Sequence, residues 1–121
     1  MTYEEFNKFC SALPAVSYVV QWGGSHVWKV GGKVFAIGGW EKSEGPAVTY
    51  KTSDLNFYVL SDEPGFRPAP YMASRGMKWI QQYDMSGKRS DDLKYYIKES
   101  HRIVSLGLSK KKKKELGLNQ E

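Results

Sequence analysis

The chain has 121 residues, of which 40% are hydrophobic and 14% aromatic, so its length and composition fit one domain with a sizeable core. A single cysteine excludes an internal disulfide framework, and no apolar run approaches the roughly 18 residues of a membrane span. The formal net charge of +5 comes from the run Lys110–Lys114, because the other 13 basic residues equal the 13 acidic residues. With an N-terminus that lacks signal-peptide character, these features predict a soluble cytoplasmic protein.

The first predicted element is a helix over residues 3–12. Thr2 and Glu5 form a capping-box pattern at its start, and Leu13-Pro14 ends it because a residue before proline is pushed out of the α region. The residues at helical spacing that we expect to be buried are Phe6, Phe9, Cys10 and Leu13.

A first strand over residues 17–22 precedes the clearest motif of the chain, a β-hairpin. Gly31-Gly32 is a two-residue turn of the type that requires positive φ. Counting outward from this turn pairs Val30 with Lys33 and Trp28 with Phe35. Alternation then predicts one core face and one half-covered face. The predicted core face carries Trp28, Val30, Phe35 and Ile37; the other carries Val27, Lys29, Val34 and Ala36.

A polar loop at Glu41–Pro46 leads to a fourth predicted strand over residues 47–51. The next segment is ambiguous. The β-rich run Leu55–Leu60 favours a strand, whereas the helix-start pattern Thr52-Ser53-Asp54 and the stop at Pro64-Gly65 favour a short helix.

The C-terminal half begins with a predicted extended loop over residues 66–76, which contains two prolines. A strand over residues 77–83 follows, and Ser90 is the predicted N-cap of the longest helix. We expect Gly107 to end that helix and residues 109–121 to form a lysine-rich tail with a short helix, outside a single domain at residues 1–108. The predicted buried stripe of the long helix is Leu93, Tyr96, Ile97, Ser100 and Val104.

The order of these motifs resembles the MmcQ/YjbR family of small bacterial proteins. The resemblance is carried by the hairpin VWKVGGKVFAI, the PGFRPAPYM segment and the MKWI strand, between an N-terminal helix ending in Leu-Pro and a final helix. It implies an α+β fold in which an antiparallel sheet packs against N- and C-terminal helices, of the frataxin (CyaY)-like or double-wing type. In that family the segment before Pro64-Gly65 is helical, so the resemblance favours a helix over residues 54–60.

No residue pattern indicates an enzyme, and we expect no catalytic machinery, metal or cofactor. The two histidines and one cysteine lack zinc-site spacing, and the glycine pairs lack P-loop spacing. We place His26 at the hairpin edge, His101 on the exposed side of the last helix and Cys10 in the core. Frataxin-like folds bind iron through an acidic helix face, for which the first helix here offers only Glu4 and Glu5.

The double-wing resemblance implies DNA binding with low sequence specificity, through basic residues at a hairpin tip and in loops. The candidate contacts are Lys29, Lys33, Arg67, Arg75, Lys78, Lys88, Arg89, Lys110, Lys111, Lys112, Lys113 and Lys114.

Two alternatives remain open from the sequence. The cations are ordinary solvated charges balanced by acidic residues elsewhere, or the protein is a monomeric protein-interaction module that uses Tyr18, Trp22 or Trp40 as exposed aromatic anchors.

Overall fold

A computed structural model describes residues 1–39 and 45–118, so the predicted loop Glu41–Pro46 falls mostly outside the described residues. Short connections join helices and strands, with a 3-10 turn at Ala73–Arg75. The elements are α1 (Tyr3–Ser11), β1 (Val16–Gln21), β2 (Ser25–Val30), β3 (Lys33–Gly38), β4 (Val48–Lys51), α2 (Asp54–Leu60), β5 (Phe66–Pro68), β6 (Trp79–Gln82), α3 (Lys88–Leu106) and α4 (Lys110–Leu116).

The strands form one antiparallel sheet of six strands in the order β1-β2-β3-β4-β6-β5. Phe6 and Cys10 of α1 and Leu93 and Ile97 of α3 join the sheet residues in one buried apolar cluster. Burying these side chains removes apolar surface from water, which is the main favourable contribution to folding. The predicted α+β architecture, an antiparallel sheet packed against N- and C-terminal helices, is confirmed.

The β2–β3 hairpin turns at Gly31-Gly32 as predicted, and Val30 pairs with Lys33. Lys29 also pairs with Val34, in the predicted register. Beyond that pair the predicted register is wrong, because a bulge shifts β3 by one residue and Trp28 pairs with Ala36 rather than with Phe35. An extra residue in one strand moves every later side chain to the opposite face. Ile37 therefore pairs with Val27 instead of sharing the face of Trp28.

Both faces of the sheet centre are buried, contrary to the prediction of one half-covered face. Val27, Ile37, Thr49 and Gln81 lie in one cross-strand row and are fully buried, yet they lie outside the cluster formed with the helices. Residues from the segment that joins β5 to β6 line a cleft with Trp22, which follows β1 at the opposite edge of the sheet, so this segment extends across the sheet. The fold thus has a small second layer on the face opposite the helices.

Helix α1 begins with the predicted capping box, in which the Glu5 N–H donates to Thr2 Oγ1 and the Thr2 N–H donates to Glu5 Oε1, both at 3.1 Å. The helical alternative for residues 54–60 is also confirmed: the Asn56 N–H donates to Oγ of the N-cap Ser53 at 3.2 Å. Local capping therefore prevails over the β propensity of this segment.

Two predicted boundaries are wrong. Helix α3 begins at Lys88 after Gly87, so Ser90 lies in its first turn and is not the N-cap. The predicted loop over residues 66–76 contains β5, a three-residue edge strand that pairs with β6. Such a short strand ending in proline has almost no sequence signal, and proline is tolerated there because an edge strand needs no outward N–H donor.

The lysine-rich segment forms α4, whose N-cap Ser109 accepts a hydrogen bond from the Lys112 N–H at 3.1 Å. Its apolar residues face the body of the protein, since Leu118 is buried and Leu116 packs against the core. Within residues 1–39 and 45–118, no helix is both long and apolar enough to cross a membrane.

Candidate nucleic-acid interface

The hairpin tip and α4 lie together. A Cβ placed on Gly31 would come within 2.6 Å of the Leu108 side chain and 3.2 Å of Leu116, so the turn packs against the residue before α4 and the last residue of α4. Lys33 Nζ donates to the carbonyl oxygen of Gly107 at 3.3 Å and remains exposed. The structure thus brings two of the predicted groups, the hairpin tip and the lysine run, to one place.

The lysines of α4 point mainly to solvent, with Lys113 half-buried and the other four exposed. Lys29 is half-buried on β2, opposite Val34 on one side and Ser17 on the other. The Lys29 side chain is therefore less accessible to a ligand than that of Lys33, which directly follows the turn.

A second group of cations flanks the last turns of α3. Lys51, at the end of β4, pairs with Trp79 at the start of β6, so both lie at the same end of the sheet as the hairpin turn. These two residues, Lys78 and Arg102 line a groove of 570 Å³. Lys78 Nζ lies 4.9 Å from the ring centroid of Phe57, an attractive cation–π distance.

Sequence reasoning missed Lys51 and Arg102. Lys51 was predicted to be in the fourth strand, but only the strand order shows which end of the sheet it occupies. Arg102 is held by Glu99, whose carboxylate accepts from its guanidinium at 2.9 and 3.1 Å. Those hydrogen bonds lower the pKa of Glu99 and raise that of Arg102, so this arginine adds little net charge.

Two predicted contacts are engaged elsewhere. Arg89 donates to Glu63 at 3.0 Å and to Asp92 at 3.1 Å, and these hydrogen bonds raise its pKa. Arg67, on the edge strand β5, donates to Gln81 Oε1 at 2.7 Å and lies 5.5 Å from the ring centroid of Tyr83. Neither guanidinium joins the cations around the hairpin.

Lys88 is exposed at the start of α3, at the end of the sheet away from the hairpin turn. It also stays apart from the other cations.

The fold separates charges that are mixed in the sequence. We call the group Lys33, Lys51, Lys78 and Lys110–Lys114 the basic end, because its members surround the hairpin turn and the C-terminus of α3. Asp54, Glu99 and Glu115 lie near it. Most of the acidic residues within 1–39 and 45–118 lie at the opposite end, around the N-termini of α1 and α3 and the turns after α2 and β6. These are Glu4, Glu5, Asp62, Glu63, Asp84, Asp91 and Asp92.

The cysteine and the two histidines considered for catalysis are each buried or in contact with another residue of the fold. Burial raises the pKa of the Cys10 thiol, which keeps it protonated and unreactive. His101 is buried, not exposed as predicted, and its Nε2 lies 2.9 Å from the Pro14 carbonyl oxygen. His26 Nδ1 lies 2.7 Å from the Tyr18 hydroxyl. Among the described residues, no three His, Cys, Asp or Glu side chains are grouped to hold a metal ion.

Exposed aromatic side chains form a separate feature. Trp22 and Tyr71 are 51% and 53% exposed, and with Met72, Arg75 and Met77 they line a cleft of 370 Å³. Tyr18 is 44% exposed on the edge strand β1, whereas Trp40 falls outside the described residues. The sequence singled out Trp22 but gave no signal for Tyr71, because exposure in an irregular segment has no periodicity.

The architecture is that of a small α+β protein with a six-stranded antiparallel sheet, helices at both ends of the chain and a segregated basic surface. The chain belongs to the YjbR family, whose family model matches residues 11–103. Among curated proteins no match is found.

Two solved structures share the fold. The crystal structure of the Deinococcus radiodurans protein DR2400, described with the domain DUF419, has a TM-score of 0.79 at 19% identity and covers 99% of this chain and 91% of its own. A Pseudomonas syringae protein solved by a structural genomics consortium has a TM-score of 0.63 at 15% identity and covers 85% of this chain and 98% of its own. At these identities the similarity establishes the fold.

Proposed function

We propose that this protein binds DNA with low sequence specificity, through the basic end and without catalytic activity, as a cytoplasmic monomer. The observation that supports this proposal is the separation of charge. The folded body is neutral without the lysine run, yet Lys33, Lys51 and Lys78 join that run at one end while most acidic residues lie at the other. A concentrated cationic surface attracts a polyanion even when the net charge of the protein is small.

The kind of residue at the basic end fits contacts with phosphates. Lysine is a flexible point charge that binds a phosphate oxygen without fixed geometry, whereas bidentate arginine contacts with base edges commonly provide sequence specificity. All members of the basic end are lysines, and Arg89 and Arg102, which are not members, are held by carboxylates. Binding should therefore depend on charge and be largely insensitive to sequence.

Fluorescence anisotropy with a labelled duplex at ~50 and ~200 mM salt tests the proposal. If about five phosphates are neutralised, affinity falls about 500-fold over this range, because the logarithm of affinity has a slope of about −0.9 per phosphate. Two duplexes of unrelated sequence should give the same affinity. No binding at the lower salt would refute the proposal and leave the cations as ordinary solvated charges.

A further inference from the structure

The cleft between Trp22 and Tyr71 is too open to belong to the core. Both rings are about half exposed, on segments that are far apart in the sequence, the turn after β1 and the connection between β5 and β6. Met72 and Met77 add flexible apolar surface to the cleft, and Arg75 lines it as well and contributes a positive charge. A volume of 370 Å³ is within the range of small-ligand sites.

The backbone under both aromatic residues is strained. Trp22 has a φ of 50° and Tyr71 a φ of 66°, in the left-handed region that bulky residues rarely adopt. Glycine or asparagine would occupy these positions at lower cost, and strained conformations of this kind are concentrated at binding sites. Two aromatic residues in this conformation line the same cleft, so both strained positions are placed where a ligand would contact their rings.

The cleft continues into the basic end. Met77 lines both the aromatic cleft and the neighbouring groove of 570 Å³ that contains Lys51 and Lys78. Arg75 lies beside the junction, and no carboxylate of residues 1–39 or 45–118 is within ion-pair distance of it. Asp54 is the carboxylate that lines the groove. Through Met77, a cleft with two exposed rings therefore adjoins a groove that contains cations.

We infer that this surface binds a single strand of nucleic acid, with a base stacked on Trp22 or Tyr71 and the adjoining phosphates along Arg75, Lys78 and Lys51. This inference rests on the proposed function and narrows it. Aromatic platforms beside a positively charged groove bind single strands, whose bases are free to stack on a protein ring. Bases in a duplex are already stacked on each other and present only their edges in the grooves.

The test compares a labelled oligo-dT of about 12 nucleotides with a duplex of the same length by fluorescence anisotropy at low salt. Trp22→Asn and Tyr71→Asn remove the rings and leave a residue that tolerates positive φ, so both variants should stay folded. Each should weaken single-strand binding about tenfold and leave duplex affinity and the salt slope unchanged. Tyr58→Ala is the matched control, because Tyr58 is 81% exposed on α2, away from the cleft.

Tryptophan fluorescence gives a second readout. The chain has four tryptophans, and the measurement is made in a Trp40→Phe background so that three remain. A base stacked on Trp22 should quench its emission, whereas Trp28 and Trp79 are buried at 7% and 5% exposure and should not respond. The quenching should be lost in Trp22→Phe, and its persistence in that variant would contradict the inference.

The outcomes separate the two proposals. Equal affinity for single strand and duplex, unchanged in Trp22→Asn, would overturn the inference and leave the proposed function standing. An equal loss in Tyr58→Ala and Trp22→Asn would also overturn it. Binding of neither probe at low salt would remove both proposals.

Discussion

Lys33 Nζ and the carbonyl oxygen of Gly107 are joined by a hydrogen bond of 3.3 Å across 74 positions of sequence. This contact ties the tip of the β2–β3 hairpin to the junction between α3 and α4. Gly31 packs closely against the same region, since a Cβ at this position would lie 2.6 Å from a Leu108 methyl carbon and would require that side chain to shift. The position of the lysine run therefore depends on the hairpin turn, and a strictly local tail would have no such dependence.

Replacing Lys110–Lys114 with glutamine should make DNA binding less sensitive to salt. The slope of log affinity against log salt should become less negative by up to about 4.5, since each lost phosphate contact removes about 0.9. Glutamine has nearly the helix propensity of lysine, so α4 should remain folded. Substitution is preferable to deletion, because Leu116 and Leu118 pack against the core.

For a matched comparison, the pair Lys111→Gln with Lys112→Gln in the run is set against Lys88→Gln with Lys94→Gln, two exposed lysines of α3 outside the basic end. The second pair is the control. This pair should change neither affinity nor slope when measured by anisotropy. An equal effect of the two sets would show that net charge, rather than its placement, governs binding.

Gly31→Ala should destabilise the protein more than Gly32→Ala. Both glycines have positive φ, which costs an alanine about 1–2 kcal/mol, but only the Cβ at position 31 would clash, at 2.6 Å from Leu108. The comparison of the two midpoints in thermal or denaturant unfolding isolates the clash from the backbone strain. Equal midpoints would mean that Leu108 moves aside freely.

Ser100→Ala should lower the free energy of unfolding by about 1–3 kcal/mol. The buried Ser100 hydroxyl donates to the Phe35 carbonyl at 2.6 Å and accepts from the Lys51 N–H at 2.9 Å, so it bridges β3 and β4. Removing it takes away a hydrogen-bond partner from the buried Phe35 carbonyl and from the part-buried Lys51 N–H. Ser74→Ala is the control, because the exposed Ser74 bonds only to nearby Tyr71 and should change stability by less than about 0.5 kcal/mol.

Cys10 should react with a thiol reagent only after unfolding. Its pKa is raised by burial, so the native thiol stays protonated while the unfolded thiol ionises near pH 8.5. Because the folded pKa lies above the unfolded one, this group makes unfolding more favourable as pH rises past about 8.5. Alkylation rates with and without denaturant measure the difference, and fast labelling of the native protein would contradict it.

Several parts of the fold follow from the sequence because their causes are local. The capping box of Thr2 and Glu5, the Gly31-Gly32 turn and the Ser53 cap satisfy backbone groups within a few residues, and all three are present as predicted. The approximate position of each longer element follows in the same way from hydrophobic periodicity.

Other features were decided only by contacts between distant segments. The bulge in β3 determines which face Ile37 occupies, and β5 exists because β6 offers an edge to pair with. His101 is buried because it meets Pro14 at the end of α1, which helical periodicity alone could not reveal.

The sequence by itself determined the composition of the candidate site: a lysine run, two lysines around a glycine turn and an exposed Trp22. Only the tertiary structure decided that Lys51 and Lys78 join Lys33 and the lysine run, that Arg89 is neutralised by Glu63 and Asp92, and that Tyr71 faces the same cleft as Trp22. The physical reason is that the charge density of a surface and the exposure of a side chain depend on which residues are neighbours in space. Their effect depends on which strands are neighbours and on where the β5–β6 segment crosses the sheet, and neither is specified by local spacing.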